Sequence, residues 1–458
     1  MSSHLAWFRR QRHSLAMTSY LSRRALLRGV VGLGAGATLA GCSTPVLSGL
    51  GTGGDAAGSL AYWNLFGGGD GVRMTQMIDA YRAANPAIDL KAVTLAWGNP
   101  YYTKLSLATL GGKPPDMAVA HLTRAKTLVA ADLLEELTTE DLAGVGISPD
   151  QLDQTAWKAG LVDGKAYAVP LDTHPFVMFY NTDICEKAGL LDSSGALTPL
   201  DSPEKFTEAL RKAKEVTKAY GGVVAITADT STPWRMFQSW YGQLGGEVLA
   251  DEGRQVVIDD AKATQVLSFM QSLTTQGLVP PTLDYAGSVA AFATGQAGFY
   301  FQGEWEISTF QTAKTPFSMT LFPNLYGGGK YAVQADSHTL VIPKQHRPDP
   351  ERKKRALGLI KSFLDQSKTW AEGGHVPAWL PFRDSAEFKA LTPQSNYAAA
   401  AEGAVYDPDG WYSGSGSNFE IVTGSNIATV LNGQQQPAVA LAQMRSALTN
   451  LARTASPI

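Results

Sequence analysis

Aromatic side chains stand beside polar ones at several points where a predicted strand ends. These points are Trp63-Asn64, Trp97 with Tyr101-Tyr102, Trp234, Glu304-Trp305, His375 with Trp379, and Trp411-Tyr412. Aromatic rings offer flat apolar surfaces, whereas Asn, Asp, Glu and His form directional hydrogen bonds to hydroxyl groups. A sugar ring presents both kinds of surface, so this composition favours carbohydrate binding. An unmatched buried polar partner costs about 1–3 kcal/mol, which is enough to select one epimer.

Several candidates also have a purely structural interpretation. The tryptophans inside helical patterns are expected in the core: Trp157, Trp240 and Trp370. Asp70 is suited to capping a helix N-terminus as well as to binding a ligand. Asp172 and His174 bracket a turn before a proline, and His121 ends a strand, where a buried histidine can be satisfied by the protein itself. Tyr101, with its neighbour, fits a surface loop equally well.

Motifs of common catalytic sites are missing from the sequence. It contains no Gly-x-Ser-x-Gly, His-Glu-x-x-His or phosphate-binding lysine motif, and the glycine run at 67–71 lacks the dinucleotide-binding spacing. The seven histidines are scattered and cysteine pairs are absent, so the spacing predicts neither a metal site nor a cofactor. A glycosidase needs only two carboxylates, which leaves open a secreted glycan-cleaving enzyme built around Asp172 or Glu304.

The N-terminal segment has the pattern of an export signal. Arg23 and Arg24 precede a largely apolar run that ends in small residues before Cys42. Ser22-Arg23-Arg24-Ala25-Leu26-Leu27 resembles the twin-arginine export signal, and Leu39-Ala40-Gly41-Cys42 resembles the lipobox of bacterial lipoproteins. Residues 1–42 are therefore expected to form an export signal with a lipobox, in which Cys42 becomes the lipidated first residue of the mature protein. Residues 43–58 would form a flexible tether. The rest of the chain would work outside the cytoplasm, anchored to the cell membrane through that cysteine.

The charge and cysteine content narrow the choice of partners. The net charge is −3, but residues 1–41 contribute six arginines and no acid, so the remainder carries −9. An acidic body argues against nucleic acid as a partner. After Cys42 only Cys185 remains, which excludes an internal disulfide and favours a buried, apolar role for that residue.

Strands and helices alternate along the chain. Predicted strands cover 59–63, 89–95, 117–121, 176–180, 297–302, 317–322 and 339–342. Predicted helices cover about 70–85, the stretch ending near 110, 203–220, 233–244, 261–276, a stretch from about 288, 350–364 and 437–451. This alternation predicts an α/β fold with a mainly parallel sheet, arranged as two lobes.

Ordered motifs in the chain resemble the family 1 extracellular solute-binding proteins of ABC importers, the maltose-binding protein group. The motifs are Trp63-Asn64-Leu65-Phe66-Gly67-Gly68-Gly69-Asp70-Gly71, Pro114-Pro115-Asp116, Tyr167-Ala168-Val169-Pro170 with Phe179-Tyr180-Asn181-Thr182-Asp183 and Ala188-Gly189-Leu190, and 292–299 with Gly303-Glu304-Trp305. The resemblance covers residues 59–455. It implies a periplasmic-binding-protein fold, in which hinge-linked lobes close on a ligand in the cleft between them.

The resemblance also places the lobes and their contacts. Lobe one would comprise 59–171 and 325–366, lobe two 178–320 and 375–458, with hinge crossovers at 172–177, 321–324 and 367–374. The resemblance implies ligand contacts at residues of both lobes and the first crossover: Trp63, Asn64, Asp70, Trp97, Tyr101, His121, Asp172, His174, Trp234, Glu304, Trp305, Ser337, His338, Trp379 and Trp411. Asp172-Thr173-His174 and Ser337-His338 depart from the maltose-binding pattern, so the identity of the sugar stays open.

The resemblance implies a monomeric carrier that hands a mono- to oligosaccharide to the permease subunits of an ABC importer. Ligand-driven hinge closure would create the form that the importer recognises. A polyol or a glycerophosphodiester is the alternative ligand, although the candidate strand ends carry few lysines or arginines to bind a phosphate.

Overall fold

The computed structural model describes residues 58–328 and 330–456. The strands in these ranges are β1 Ser59–Asn64, β2 Asp89–Thr94, β3 Met117–His121, β4 Leu161–Val162, β5 Lys165–Ala166, β6 Ala168–Pro170, β7 Asp172–Asn181, β8 Tyr220–Val223, β9 Leu249–Ala250, β10 Gln255–Val256, β11 Ala297–Gly303, β12 Phe317–Leu321, β13 Val333–Asp336, β14 His338–Val341, β15 Val376–Pro377 and β16 Ala404–Val405. The α-helices are α1 Gly68–Ala84, α2 Asn99–Leu110, α3 Leu122–Ala130, α4 Thr139–Ala143, α5 Gln154–Ala159, α6 Thr182–Lys187, α7 Pro203–Thr217, α8 Ser231–Gln243, α9 Asp260–Thr275, α10 Tyr285–Ala293, α11 Ile307–Thr312, α12 Pro350–Asp365, α13 Ser367–Ala371, α14 Leu380–Arg383, α15 Ala386–Lys389, α16 Asn418–Leu431 and α17 Pro437–Arg453.

Two features predicted from the N-terminal sequence fall outside these ranges. Arg23, Arg24 and Cys42, with the export signal and nearly all of the tether, belong to residues that the structure does not describe. In the part of the chain that it does describe, no helix combines the length and the apolar character needed to cross a membrane.

The first lobe is built on a five-stranded sheet with the order β2-β1-β3-β14-β6. Strand β1 is parallel to both of its neighbours, whereas β14 is antiparallel to β3 and β6. All six residues of β1 are buried, as expected for a strand covered on both faces. The carboxyl ends of β1 and β3 therefore meet at one edge of the sheet, where the chain turns into helices.

The second lobe is organised around β7, all ten residues of which are buried. This strand pairs with β11, β12, β13 and β15, and every one of these pairs is antiparallel. The prediction of a mainly parallel sheet is therefore wrong, because one long strand running against its neighbours makes the sheet mixed. The α/β alternation itself is confirmed.

Three segments connect the two sheets. Leu171 joins β6 to β7, Ser337 joins β13 to β14, and 372–375 joins α13 to β15. The predicted second crossover at 321–324 is corrected, because β13 pairs with β7 and β16 in the second sheet. Each pairing spans only two residues, too few to leave an alternating pattern in the sequence. Residues 325–336 thus extend the second lobe rather than the first.

Each lobe has its own apolar core. In the first lobe, Leu60, Met77 and Phe363 belong to a cluster between β1 and the helices α1 and α12. In the second, Trp240 and Phe206 belong to a larger cluster beneath α7 and α8. A smaller third cluster, which includes Phe179, Tyr300 and Phe310, lies on the other side of β7 and β11. The lobes therefore carry separate cores, a property that lets them move as bodies.

The predicted helix faces agree well with the burial pattern. Met74, Met77, Ile78 and Tyr81 are the buried residues of α1. Asp70, however, does not cap that helix: Gly67 occupies the N-cap, and the Asp70 carboxylate in the first turn is bonded elsewhere. Helix α16 and strand β13 were not predicted.

Three further residues have the predicted environments. Cys185 is wholly buried as expected, and burial raises the pKa of its thiol to about 12. Trp240 and Trp370 are also wholly buried, each within the core of its lobe.

A glycine in α16 lies where a larger residue would collide with the segment that leads into α8. A Cβ at Gly424 would overlap the carbonyl oxygen of Thr230. Alanine normally stabilises a helix interior by about 1 kcal/mol relative to glycine. Here we expect Gly424→Ala to lower the free energy of unfolding by about 1–3 kcal/mol, measured by urea denaturation.

The control is Gly358→Ala, because Gly358 lies inside α12 and a Cβ there has no atom within 4 Å. We expect this variant to be unchanged or more stable by up to about 1 kcal/mol. Equal effects of the two substitutions would contradict the close packing of α16 against the Thr230 backbone.

Candidate functional site

A cavity of about 470 Å³ lies between residues of the first lobe and residues of the second. Its lining is Leu65, Phe66, Gly67, Asp70, Trp97, His121 and His338 on one side, and His174, Ala228, Asp229, Thr230, Ser231, Thr232, Arg235, Tyr285 and Trp305 on the other. The volume is within the range of small-molecule sites. The lining combines aromatic faces with hydroxyl, imidazole and carboxylate groups.

Six of the residues predicted as ligand contacts lie in this lining: Asp70, Trp97, His121, His174, Trp305 and His338. Three more are wholly buried next to it. Asp172 contacts His174 and His338, while Glu304 and Ser337 precede lining residues in the chain. That the lining residues contact a ligand stays a prediction.

Four predicted residues of the first lobe lie away from the cavity. Trp63 and Trp379 pack in the core of that lobe, which corrects the expectation that Trp379 belongs to lobe two. Asn64 bonds within its own turn, since its Oδ1 accepts a hydrogen bond from the Phe66 amide at 3.1 Å. Tyr101 is wholly buried and donates to the Val119 carbonyl at 2.6 Å, so it is not the surface-loop residue considered from the sequence.

Two residues of the second lobe that were predicted as ligand contacts also lie away from the cavity. Trp234 is wholly buried and its indole donates to Asp407 Oδ1 at 2.8 Å. Trp411 donates to the Thr454 carbonyl at 3.2 Å, near the C-terminus. The expectation of ligand contact is corrected for these residues, because tertiary packing has given each aromatic ring a partner inside the protein.

One wall of the cavity was missed by the sequence analysis. It consists of 228–232 and the first turn of α8, with Tyr285 of α10 beside it. Asp229 accepts from the Thr232 amide at 2.9 Å, so this segment is a helix-capping turn. Residues 228–232 contain no aromatic side chain, and the signal of an aromatic residue beside a polar one selected the neighbouring Trp234 instead. The run Asp229-Thr230-Ser231-Thr232-Pro233 could have been recognised as a helix start exposed at a strand end.

Trp305 anchors that wall. Its indole donates to the Tyr285 hydroxyl at 2.8 Å, and the Arg235 guanidinium lies over its ring at 5.1 Å from the centroid. Across the cavity, Trp97 is 43% exposed, an unusual exposure for a tryptophan. The two lobes therefore each present one tryptophan to the cavity.

Four of the seven histidines meet at the floor of the cavity. The His174 and His338 rings are stacked with centroids 4.1 Å apart, and His121 lies 5.0 Å from His338 and 5.5 Å from His174. The His375 centroid is 5.4 Å from that of His338. The spacing of the histidines in the sequence did not indicate this cluster, because each of the four reaches the floor from a different strand or crossover.

The carboxylate of Asp172 is the centre of this cluster. Its Oδ1 accepts from the His338 amide at 2.8 Å, and its Oδ2 accepts from the Trp370 indole at 2.7 Å. The Nδ1 atoms of His338 and His174 lie 2.8 and 3.2 Å from the same carboxylate. Burial alone raises the pKa of Asp172. The His338 and His375 rings, with hydrogen bonds from His174 and His338, more than reverse this, and the pKa lies well below its usual range.

His375 lies among three carboxylates. Its Nε2 is 3.0 Å from Asp70 Oδ1, and its Nδ1 is 2.9 Å from Glu304 Oε1 and 3.2 Å from Asp172 Oδ2. Burial opposes the charged ring, but these acidic neighbours, Asp70 and Asp172 foremost, raise the pKa of His375 well above its usual value. The ring is also stacked on Trp370, with centroids 4.2 Å apart. His375 is thus an imidazolium that joins Asp70 of the first lobe to Glu304 of the second.

Two imidazoles of the floor, those of His174 and His121, are uncharged at neutral pH. Burial, with His338 nearby, lowers the pKa of His174 to about 3. Burial, with His338 and His174 nearby, also lowers the pKa of His121 well below its usual value. A neutral imidazole can donate and accept a hydrogen bond, which suits it to hydroxyl groups.

A two-lobed α/β fold with three crossovers and a cavity between the lobes is the architecture of MalE-type periplasmic binding proteins. The chain belongs to the family described as bacterial extracellular solute-binding protein, whose model matches residues 76–401. This confirms the family predicted from the sequence motifs.

Two curated relatives are similar over much of the chain. A maltooligosaccharide ABC transporter solute-binding lipoprotein of Streptococcus pneumoniae is 24% identical over 335 residues, which is 67% of this chain and 72% of the relative. The maltodextrin-binding protein MdxE of Bacillus subtilis is 21% identical over 258 residues, 53% of this chain and 60% of the relative.

Solved structures show the same fold. The GacH receptor of Streptomyces glaucescens, solved unliganded and with acarbose, superposes with a TM-score of 0.72 at 17% identity, covering 87% of this chain and 99% of the other. Maltose-bound MalE3 of T. maritima gives a TM-score of 0.72 at 20% identity, covering 86% and 99%. At these identities the likeness concerns the fold.

The raised pKa of His375 makes its contribution to stability depend on pH. A histidine with a higher pKa in the folded state stabilises fully below its unfolded pKa of about 6.5, and this contribution is lost as the pH rises through the folded value. We therefore expect the difference in unfolding free energy between wild type and His375→Gln to be largest below pH of about 6.5 and to shrink above it. Urea denaturation in the presence of EDTA over this pH range measures it.

His346→Gln serves as the control, since His346 is exposed and outside the cluster. Its stability relative to wild type should not follow this pH course. A difference for His375→Gln that stays constant or grows with pH would contradict the charged state assigned to His375.

Proposed function

We propose that this protein binds a carbohydrate, from a mono- to an oligosaccharide, in the cavity between its lobes and delivers it to an ABC importer. The observation that carries the proposal is the pairing of Trp97 and Trp305, one from each lobe, with the uncharged imidazoles of His121 and His174 at the floor. Indole faces pack against the C–H surfaces of a sugar, while imidazole and carboxylate groups bond its hydroxyls. The maltooligosaccharide- and maltodextrin-binding relatives support the same class of ligand.

Hinge closure would couple binding to delivery. A ligand that touches both lobes favours the closed form by its difference in affinity for the two forms. The surfaces around the cavity mouth would then form the permease interface. The protein would act as a monomer outside the cytoplasm, anchored through a lipid on Cys42, a role that the lipoprotein relatives support.

The charges of the cavity favour a neutral ligand over a glycerophosphodiester. The lining contains one guanidinium, Arg235, which lies 4.0 Å from the buried Glu420 and over the Trp305 ring. The same lining contains two carboxylates, Asp70 and Asp229. A phosphate would meet net negative charge there, whereas a sugar or polyol would not.

The geometry also argues against a glycan-cleaving enzyme. Asp172 and Glu304 are both wholly buried, and neither lines the cavity. Both approach the same His375 nitrogen, within 3.2 and 2.9 Å. Two carboxylates engaged by one buried imidazolium cannot flank a glycosidic bond, so we assign the pair to structure rather than to catalysis.

Removing the second-lobe indole tests the placement of the ligand. We expect Trp305→Ala to weaken sugar binding at least about tenfold, or ~1.4 kcal/mol, because the stacking face is lost. Isothermal titration calorimetry measures the affinity, and circular dichroism verifies folding. Trp157→Ala is the control, since Trp157 is also half-buried but packs on the first-lobe core. Unchanged affinity in Trp305→Ala would place the ligand elsewhere.

A thermal-shift screen of the purified protein identifies the ligand class. The panel contains mono-, di- and oligosaccharides, polyols and glycerophosphodiesters. A ligand that binds only the native state raises its stability by RT ln(1 + [L]/Kd), so at a hundredfold excess over Kd we expect about 2.7 kcal/mol and a clear shift in Tm. A shift with a sugar, without release of new reducing ends, is the expected result. A shift with glycerophosphodiesters alone, or sugar hydrolysis abolished by Glu304→Gln, would overturn the proposal.

A further inference from the structure

The three crossovers bring a set of metal-binding groups together beneath the cavity. Asp172, His174, His338 and His375 each offer one ligand atom, and these atoms all lie within 4.8 Å of one another. All four residues are buried. The first two come from the start of β7, the third from β14 and the fourth from the segment before β15.

The same place holds polar atoms that the protein leaves unsatisfied. Three buried atoms at this place have no hydrogen-bond partner within residues 58–328 and 330–456: both carboxylate oxygens of Glu304 and the Nδ1 of His375. Both side chains are wholly buried. Their approach of 2.9 Å lacks the direction of a hydrogen bond. Unpaired buried carboxylates are costly, and native proteins normally give them a partner or a metal ion.

The carboxylates around His375 also favour a bound cation. The carboxylates of Asp70, Asp172 and Glu304 approach the His375 ring within 3.0, 3.2 and 2.9 Å. Three acidic groups thus converge on one buried ring. A divalent cation at this place would balance their negative charge.

The donor set indicates which cations fit. Three imidazole nitrogens with one carboxylate oxygen are a typical ligand set for Zn²⁺, at bond lengths of about 2.0–2.2 Å. Tetrahedral ligand atoms at such distances lie about 3.4 Å apart. The Nδ1 atoms of His338, His174 and His375 lie 2.8, 3.2 and 3.2 Å from the Asp172 carboxylate. Side-chain shifts of about 1 Å would therefore complete the coordination sphere.

The His375 ring is held by its neighbours in an orientation that suits a metal ligand. His375 Nε2 contacts the Asp70 carboxylate, which would fix the tautomer that leaves Nδ1 free for a metal. Trp370 holds the same ring by stacking and donates to Asp172 Oδ2 at 2.7 Å. Metal-bound histidines commonly have such a carboxylate partner on the second nitrogen.

We propose that Asp172, His174, His338 and His375 bind one divalent transition-metal ion, best matched by Zn²⁺, which ties the three crossovers together beneath the cavity. Binding releases the Nδ1 proton of the His375 imidazolium to solvent. In the metal-bound state the Nδ1 atoms of His174 and His338 bind the ion, and the ring proton of each histidine lies on Nε2. The site does not depend on which ligand the cavity takes.

Metal titration of tag-free protein, stripped with EDTA and dialysed, tests this site without any sugar. We expect calorimetry to detect one equivalent of Zn²⁺, accompanied by a rise in Tm, and no competition from Mg²⁺, which prefers oxygen ligands. Co²⁺ should give the visible absorption of a tetrahedral nitrogen and oxygen site. His174→Gln and His338→Gln should each weaken Zn²⁺ binding at least about tenfold, whereas His346→Gln, outside the cluster, should not.

Each other outcome overturns the proposal. Absence of Zn²⁺ binding by the wild type would exclude the site. Equal Zn²⁺ affinity and an unchanged Co²⁺ spectrum in both variants would place the metal elsewhere. Should the variants fail to fold, the wild-type spectrum decides, because a spectrum of hydrated Co²⁺ would show that no imidazole coordinates.

Discussion

The buried carboxylate of Asp172 is the interaction on which the arrangement of the two lobes depends. It accepts hydrogen bonds from the backbone and ring of His338 and from the Trp370 indole, and it contacts His174 and His375. These partners come from all three crossovers, so one acidic group determines the relative course of the strands that join the lobes. Its buried charge is stabilised because several donors converge on it, and truncating it would leave the His338 amide and the Trp370 indole without their hydrogen-bond acceptor.

The network also explains how His174 and His121 stay uncharged while the layer beneath them is ionic. His174 and His121 face the cavity with lowered pKa values, while His375, one layer deeper, stays protonated between carboxylates. Gly374, which precedes His375, allows this arrangement. Its φ of +114° favours glycine, and a Cβ at this position would collide with the backbone of Glu304. The chain can therefore pass close to Glu304 and deliver His375 into the acidic pocket.

Much of the fold was predictable from local pattern. The four buried residues of α1, the strands β1 and β3, and the long helices α7, α9 and α17 follow from periodicity, because each buries one face over several turns or a whole strand. The short strand β13 and the second crossover did not, since two-residue pairings leave no periodic signal.

The candidate site could be predicted from the sequence only in part, because the pattern that marks ligand-binding residues also marks core residues. Aromatic residues next to polar ones at strand ends identified Trp97 and Trp305, but the same signal selected Trp234 and Tyr101, whose rings are buried in the cores. Sequence spacing could not reveal the histidine cluster, because its members lie on strands far apart in the chain.

The wall formed by 228–232 differs from the floor in one respect that bears on how this chain can change. Asp229 accepts from Thr232, Ser231 donates to Glu420, and Thr232 accepts from Gln302, and all of these partners are outside the network that joins the crossovers. Substitutions there could accumulate during divergence without disturbing the hinge. In the floor, by contrast, altering one member disturbs its partners on all three crossovers. Relatives with different ligands would then be expected to vary in the wall and to retain the floor, and a designer who wants a new specificity has a natural place to begin.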